Sequence, residues 1–248
     1  MRGTLFMLAI AGCGFEIRGA APGDPDAASD AIPDVAIDAP PPACPPDPAL
    51  RLCFSFDGTA LGPALANEGA AEVSAQTANL TRIERAGGGA AMFAADSSIW
   101  LPMHADVSGV LTIDMWFRAD AAPGNDGGRI GLLDSNAGEP TNISLFIYRQ
   151  AEGLALRCGL GTQLETLPAP IVLGTWHRAT CTCEAGAMNL YFDGTLLGSR
   201  PGSCAAGGAL VADGLAIGSD NVGNASTFPD RIAGAIDDVQ LWSVVRAP

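Results

Sequence analysis

The sequence predicts an all-β fold in which two antiparallel sheets pack as a sandwich or jelly roll. Short runs rich in aliphatic and aromatic residues recur along the chain, and clusters of Gly, Asn, Asp and Pro separate them. No long segment keeps the apolar period of an amphipathic helix. Many short strands joined by turns are typical of a sandwich, whereas an α/β enzyme fold would alternate strands with helices.

Eleven runs after about residue 49 have the character of strands. They share short length, high apolar content and turn residues on both sides. In chain order they are RLCFSF (51–56), SIWLP (98–102), LTIDMWFRA (111–119), RIGLLDS (129–135), NISLFIYR (142–149), GLALRCG (153–159), WHRATCTC (176–183), MNLYF (188–192), TLLGS (195–199), LAIGS (215–219) and IDDVQLWSV (236–244).

Alternation of residue types gives three of these strands a core side and an outward side. The core side is apolar in each: Ile113, Met115 and Phe117; Ile143, Leu145 and Ile147; Met188, Leu190 and Phe192. The outward side mixes polar and aromatic residues: Thr112, Asp114, Trp116 and Arg118; Ser144, Phe146 and Tyr148; Asn189 and Tyr191. The pattern therefore predicts an apolar core between the sheets and a polar, aromatic outer surface.

Residues 1–12 have the pattern of a lipoprotein signal peptide. Arg2 gives a positive start, and the apolar run from Thr4 to Ala11 is too short to span a bilayer. The run ends in Ile10-Ala11-Gly12-Cys13, which resembles a bacterial lipobox. This resemblance implies cleavage before Cys13 and lipidation of its thiol. The alternative is an ordinary signal peptide followed by an unrelated cysteine.

Seven cysteines are present, and lipidation of Cys13 leaves an even set of six. An even set in an exported chain predicts disulfides. The six residues are Cys44, Cys53, Cys158, Cys181, Cys183 and Cys204. Their many possible connectivities stay open, although the short spacing of Cys44 and Cys53 favours that pair.

The run WHRATCTC raises the question of whether a histidine and two cysteines form a metal site. Alternation places His177, Cys181 and Cys183 on the same side as Ala179, which predicts that they face the core. Core cysteines of an exported protein favour disulfides, because zinc needs thiolates and a fourth ligand. The zinc site is kept as the alternative. The Asp193-Gly194 step predicts the two-residue turn of a hairpin.

Between the signal and the sandwich, the composition changes to Asp, Ala and Pro. Such a segment buries little apolar surface and repels itself, which predicts a disordered tether. The predicted organisation is a signal peptide at 1–12, the lipidated Cys13 and tether at 13–48, and the sandwich domain at 49–248.

The net charge of −14 and the absence of lysine exclude several functions. A chain this acidic does not neutralise phosphates, so nucleic acid is not an expected partner. Without lysine, the chain forms neither a lysine Schiff base nor a Walker-type phosphate loop.

An ordered series of motifs covers nearly all of the chain after about residue 51. The motifs are CFSFDGTA, LTIDMWFRA, GTWH at 174–177, LYFDG at 190–194, IG at 217–218 and GAIDDV at 234–239. Their order and spacing resemble the laminin-G-like branch of the concanavalin A-like lectin/glucanase superfamily. The resemblance implies a concanavalin A-like jelly roll of two antiparallel sheets. It also implies a non-catalytic module that binds glycans or proteins, often with calcium.

The sequence does not predict catalysis. Glucanases of this superfamily carry closely spaced carboxylates on one strand, since retaining hydrolysis needs an acid and a nucleophile about 5 Å apart. Asp114 stands alone in its strand, and Asp237 and Asp238 would point to opposite sides of a regular strand. With two histidines in the chain and His177 predicted to face inward, a hydrolytic triad is not indicated either.

Asp57 and Asp238 are the candidate ligands of a structural calcium ion. Carboxylates beside the first and last strands resemble the calcium site of jelly-roll modules, and calcium prefers such hard oxygen ligands. The alternative is that Asp57 belongs to a turn with Gly58 and that Asp238 is a solvated edge carboxylate.

The predicted ligand-binding surface is the outward aromatic side of the sandwich. Its flat rings would pack against the apolar faces of sugars while charged groups bind sugar hydroxyls. The candidate residues are Asp114, Trp116, Arg118, Tyr148, Trp176, Arg178 and Tyr191, with Arg157 among them. The alternatives are a small second core beneath loops and a patch that receives a protein.

Together these features predict a surface-anchored, non-catalytic binding or adhesion module of the bacterial cell envelope, held at the outer membrane or cell surface. The expected partners are a glycan or a cell-surface or extracellular protein, and the membrane through the N-terminal lipid. Structural calcium is the one candidate cofactor. A glycoside hydrolase and a purely structural envelope protein are the competing hypotheses.

Overall fold

The structure is a computed structural model that describes residues 44–248 apart from 59–60, 103, 126, 137–141, 164–166, 185, 203, 205–213 and 223–226. The predicted signal peptide, Cys13 and residues 13–43 of the predicted tether lie outside the described residues. In the described part of the chain, no helix is both long and apolar enough to cross a membrane.

Strands make up most of the regular structure in the described residues. In chain order they are β1 (Leu50–Phe54), β2 (Ala64–Ala66), β3 (Ser74–Ala78), β4 (Thr81–Arg85), β5 (Gly88–Phe93), β6 (Ser98–Leu101), β7 (Thr112–Ala119), β8 (Arg129–Asp134), β9 (Asn142–Gln150), β10 (Gly153–Gln163), β11 (Leu167–Pro168), β12 (His177–Glu184), β13 (Ala187–Phe192), β14 (Thr195–Pro201), β15 (Leu215–Ile217) and β16 (Gly234–Trp242). A single 3-10 turn, Ala105–Val107, completes the regular elements of this part.

The described strands form two antiparallel sheets of eight strands each. Sheet A has the order β14-β13-β12-β7-β16-β5-β4, and β1 also pairs with β16. Sheet B has the order β11-β10-β9-β8-β15-β6-β3-β2. The predicted fold class, an all-β jelly-roll sandwich, is therefore confirmed.

All eleven predicted runs correspond to strands, but five further strands were not predicted: β2, β3, β4, β5 and β11. Their residues explain the omission. GGAAMF in β5 consists largely of Gly and Ala, and TRIER in β4 is mostly charged. These strands carry few of the branched and aromatic residues that signal a strand, and neighbouring strands decide their conformation.

The apolar core lies between the two sheets, on the side that alternation predicted. The nine predicted core residues of β7, β9 and β13 are at most 4% exposed. Ala179, Cys181 and Cys183 of β12 are fully buried in the same cluster. The prediction that the cysteine side of WHRATCTC faces the core is confirmed.

The six cysteines form three disulfides, and the short-spaced pair is among them. They are Cys44–Cys53, Cys158–Cys181 and Cys183–Cys204. The second joins β10 of sheet B to β12 of sheet A through the core. Because both cysteines of WHRATCTC are oxidised, they offer no thiolate to zinc.

The predicted hairpin turn joins β13 to β14. Asp193 (φ 48°) and Gly194 (φ 77°) both have positive φ, as a type I′ turn requires. The Asp193 carboxylate contacts the ring of His177 (Oδ2 to Nδ1, 2.8 Å), and His177 Nε2 accepts a hydrogen bond from the Val172 N–H (3.1 Å). Both ring nitrogens of His177 are therefore engaged within the fold.

Candidate functional site

Six of the seven predicted ligand-binding residues lie on the outer face of sheet A, called face A. They are Asp114, Trp116 and Arg118 of β7, Trp176 just before β12, Arg178 of β12 and Tyr191 of β13. The strand register places Arg178 opposite Trp116, and it places Thr180 between Asp114 and Tyr191. The structure thus brings these six side chains together.

The seventh residue, Tyr148, lies on the other side of the sandwich. It belongs to β9 of sheet B and shares the outer face of that sheet, called face B, with Phe146. Arg157 of β10 lies there too, opposite Phe146. The prediction of one common surface was wrong for Tyr148 and Arg157, because alternation shows that a side chain points outward but not from which sheet.

A fixed polar network occupies the middle of face A. Arg178 donates from Nε to Asp114 Oδ1 (2.9 Å) and from Nη2 to Asp114 Oδ2, and Thr180 Oγ1 donates to Asp114 Oδ1 (2.9 Å). The hydrogen bond to Asp114 is the main cause that raises the pKa of the Arg178 guanidinium. Bidentate pairing of this kind fixes the direction of both groups, although Arg178 keeps 31% of its side chain exposed.

Arg85 is a central residue of face A that the sequence analysis missed. Its Cζ lies 4.3 Å from the ring centroid of Trp116 and 5.0 Å from that of Trp176, and Arg118 approaches Trp176 from 5.7 Å. Cation–π contacts therefore tie the two tryptophans together. Arg85 was missed because β4 was not predicted, yet the alternation in TRIER was a signal that could have found it.

Asp237 and Asp238 point to the same side of the sheet, which corrects the prediction made for a regular strand. The register of β16 shifts between Asp237 and Gln240, and Asp238 has a φ of 49°. This bulge lets both carboxylates bond Arg85, with Nη1 at 2.6 Å from Asp237 Oδ2 and 3.1 Å from Asp238 Oδ2.

The two carboxyls hold protons more strongly than free aspartates do. Burial, and then the charge of Asp238, raises the pKa of Asp237 to about 7 against the opposing effect of Arg85. Burial also raises the pKa of Asp238, and the charge of Asp57 adds to that effect. Face A thus contains a carboxyl that is partly protonated near neutral pH.

The residues around Asp57 and Asp238 do not fit a calcium site by themselves. Asp57 Oδ1 accepts a hydrogen bond from the Gly89 N–H (2.8 Å), and Arg85 already bonds Asp238. Among the described residues, no three His, Cys, Asp or Glu side chains are grouped so that they could hold a metal ion. Calcium takes about six to eight oxygen ligands, so an ion bound by Asp57 and Asp238 would need further ligands beside them.

Face B is partly covered by the segment 218–222. A Cβ on Gly131 would come within 2.2 Å of the Ser219 backbone, so only glycine lets the segment pass this close. Arg129 holds the segment in place, because it bonds Asp220 while its Cζ lies 4.9 Å from the Phe146 ring centroid. Its Nε also donates to Asp230 Oδ2 (2.9 Å).

A buried carboxyl lies beneath this segment. Asp134 is 5% exposed and accepts a hydrogen bond from the Asn221 N–H at Oδ2 (3.0 Å). Burial raises the pKa of Asp134 to about 7, and the neighbouring Asp220 adds to the rise. Each outer face of the sandwich therefore contains one carboxyl that titrates near neutral pH.

Several solved structures share this fold at low sequence identity. The binding domain of Paraclostridial Mosquitocidal Protein 1 matches with a TM-score of 0.57 and 13% identity, over 80% of this chain and 49% of that chain. Domain 4 of AbnA, a GH43 extracellular arabinanase from Geobacillus stearothermophilus, was solved in complex with arabinotriose. It matches with a TM-score of 0.52 and 17% identity, over 78% of this chain and 91% of that chain. A Trypanosoma rangeli sialidase matches with a TM-score of 0.56 and 16% identity, over 82% of this chain and 32% of that chain.

The chain spans about half the length of the toxin domain chain and about a third of the sialidase. No curated protein matches the sequence. Residues 93–248, well over half of the chain, match the family model of a laminin G domain. The chain therefore belongs to the laminin G group of the concanavalin A-like lectin/glucanases superfamily.

Proposed function

We propose that this chain is a surface-anchored, non-catalytic recognition module whose face A binds a neutral glycan. The observation that carries the proposal is the grouping of Trp116, Trp176 and Tyr191, all partly exposed, around the fixed Arg178–Asp114 pair. AbnA domain 4, which has this fold, is in complex with arabinotriose, and this precedent makes a glycan the first ligand class to test. A protein partner is the alternative.

Flat rings and oriented polar groups are the two components of a sugar site. The tryptophan and tyrosine rings offer apolar surface to the faces of a sugar ring. The Arg178–Asp114 pair offers donors and acceptors whose directions are set before binding. Because these groups are already ordered, a sugar that bonds to them loses less affinity to side-chain ordering.

The charges on face A favour a neutral ligand. The three arginines next to its aromatic rings are bonded to carboxylates: Arg85 to Asp237 and Asp238, Arg118 to Asp120, and Arg178 to Asp114. An acidic sugar would therefore compete with carboxylates that are already in place. A neutral glycan meets no such competition.

The decisive experiment measures glycan binding by the exported, oxidised chain and by Trp176→Ala. We expect binding to a neutral oligosaccharide panel that includes arabinotriose, with an affinity at least tenfold lower in the variant. Trp100→Ala is the matched control, because Trp100 is also partly exposed but belongs to β6 of sheet B. Equal losses in both variants, or no binding to any neutral glycan, would contradict the proposal.

The absence of catalysis is part of the proposal and has its own test. The carboxylates of face A are engaged by arginines, which supports a binding role. One observation favours the hydrolase alternative: the pKa of Asp237 is about 7, as a general acid needs, and Asp238 lies beside it. We expect no release of reducing ends from the same glycans. Release that Asp237→Asn abolishes would establish a hydrolase.

The membrane anchor is proposed from Cys13 and the apolar run before it. Metabolic labelling with an alkyne fatty acid should label the chain and place it in the membrane fraction. Cys13→Ser should lose both the label and the membrane association. A labelled Cys13→Ser chain, or a wild-type chain released without lipid, would contradict the anchor.

A further inference from the structure

Arg157 on face B has no acidic partner. Among the described residues, no carboxylate forms an ion pair with it, and its Nε is buried without a hydrogen-bond partner. The chain has 27 acidic residues for 13 arginines, so carboxylates are abundant elsewhere on its surface. A half-buried guanidinium without an anion lacks the partner that its desolvation calls for.

The contact with Tyr148 orients Arg157 and leaves its two terminal Nη groups without a hydrogen-bond partner among the described residues. Its Cζ lies 4.5 Å from the ring centroid of Tyr148 and 5.9 Å from that of Phe146. Such stacking uses the flat face of the guanidinium, whereas its N–H donors point outward in the plane of the group. A carboxylate that approaches in this plane can accept two parallel hydrogen bonds.

The two described carboxylates that bond an arginine on face B lie on the far side of β9 from Arg157. Asp220 and Asp230 bond Arg129 of β8, whereas Arg157 lies on β10. Because neighbouring strands are about 4.8 Å apart, β8 and β10 are separated by about 10 Å. Among the described residues, neither of these carboxylates therefore pairs with Arg157.

We propose that Arg157, positioned by Tyr148, binds the carboxylate of an acidic sugar on face B. A uronic acid presents a carboxylate beside an apolar ring face, and the partly exposed Tyr148 ring lies next to the guanidinium. Arg157 contacts the ligand, whereas Tyr148 acts as a positioning residue. This second site goes beyond the neutral glycan proposed for face A and does not depend on it.

Calorimetric titration of the exported, oxidised chain tests the proposal. The probes are a galacturonic acid trisaccharide, the neutral galactose trisaccharide and sodium acetate. We expect the acidic trisaccharide to bind at least tenfold more tightly than the other two. Arg157→Gln should weaken its binding at least tenfold, because hydrogen bonds to charged groups are the stronger ones.

Arg246→Gln is the matched control, since the Arg246 guanidinium also lies over an aromatic ring, Trp242, at 4.3 Å. It should bind as the wild type does. Tyr148→Ala should weaken binding, whereas Tyr148→Phe should keep it, because a positioning role by stacking needs the ring and not the hydroxyl. The melting temperature of each variant is measured as well, and an unchanged value shows that the fold is intact.

Three outcomes would overturn the inference: wild-type affinity in Arg157→Gln, an equal loss in Arg246→Gln, and equal affinity for the neutral trisaccharide or acetate. Trp176→Ala separates this site from face A. If that variant loses the acidic trisaccharide while Arg157→Gln keeps it, the ligand belongs to face A. Failure of neutral glycans to bind face A would leave the Arg157 result unaffected.

Discussion

Face A and face B arise from the same alternation of residue types, but they use their arginines differently. On face A, Arg85 and Arg178 are bonded to carboxylates, and Arg85 also links two tryptophans. On face B, Arg129 holds a crossing segment in place, whereas Arg157 has an aromatic partner and, within the described part of the chain, no acidic one. The pairing of charge, rather than the number of aromatic rings, therefore distinguishes the two surfaces.

The largest expected change in stability comes from removing the disulfide that joins the two sheets. The double substitution Cys158→Ala and Cys181→Ala removes the disulfide between them and should lower the free energy of unfolding by about 2–5 kcal/mol. Guanidinium unfolding followed by tryptophan fluorescence measures the loss. The Cys44→Ala and Cys53→Ala double variant is the control and should lose less, because its disulfide closes a shorter loop, with a sequence separation of 9 against 23. Equal losses would refute this ranking.

The ion pairs of the two faces should contribute unequally to the free energy of unfolding, and each should contribute less than the disulfide between the sheets. Asp114→Ala leaves the partly buried Arg178 without its partner and should destabilise the fold by about 1–3 kcal/mol. On face B, Asp230→Ala removes a partner whose side chain is 38% exposed, and we expect about 1 kcal/mol or less. The same unfolding experiment compares them. A larger loss for Asp230→Ala would mean that face B, not face A, depends more on its ion pairs.

The pH dependence of stability should show one titrating carboxyl from each face. Burial raises the pKa of Asp237 to about 7, against 3.8 for a free aspartate, and burial together with Asp220 raises the pKa of Asp134 in the same direction. Between about pH 4 and pH 7 the native state therefore binds more protons than the unfolded state, so these groups lower the stability as the pH rises through that window. Melting temperatures should fall from pH 5 to pH 8. Asp237→Asn and Asp134→Asn should each flatten part of that slope, and a melting temperature that rises with pH would contradict both assignments.

The smallest expected effect is that of calcium on face A. With Arg85 bonded to Asp238, we expect 1 mM calcium chloride to change the melting temperature by less than about 1 °C relative to chelator. A site filled at about 100 times its dissociation constant would add about 2.7 kcal/mol and move the transition by several degrees. A shift of that size in the wild type, lost in Asp57→Asn, would establish a calcium site on face A.

The fold could be predicted from the sequence because strand alternation carries the information. The core residues of β7, β9, β12 and β13 follow it, and so does the turn at Asp193-Gly194. The six ligand-binding candidates of face A were grouped for the same reason. Alternation gives the direction of a side chain within its own strand, which is enough to find a core.

What alternation omits is the assignment of strands to sheets and any departure from regular geometry. Tyr148 points outward as predicted, but β9 belongs to the other sheet. Asp237 and Asp238 share a side because a bulge adds a residue to β16. Arg85 is a different case: β4 pairs with the next strand, β5, and the alternation in TRIER is a local signal that was not used. The sheet of Tyr148 and the bulge of β16 depend on long-range pairing, which a local pattern does not contain.

The Cys44–Cys53 disulfide determines where a mechanical load would enter the domain. Cys53 lies within β1 opposite Gln240 of β16, and β16 is in turn paired with β7. A pull on the chain ahead of Cys44 is therefore passed through the sulfur bridge directly into β1, and residues 45–52 carry none of it. The force reaches sheet A through its paired strands, while the opening residues of β1 stay unstretched. If the chain ahead of Cys44 is anchored as proposed, a pull on it would load sheet A without peeling its first strand.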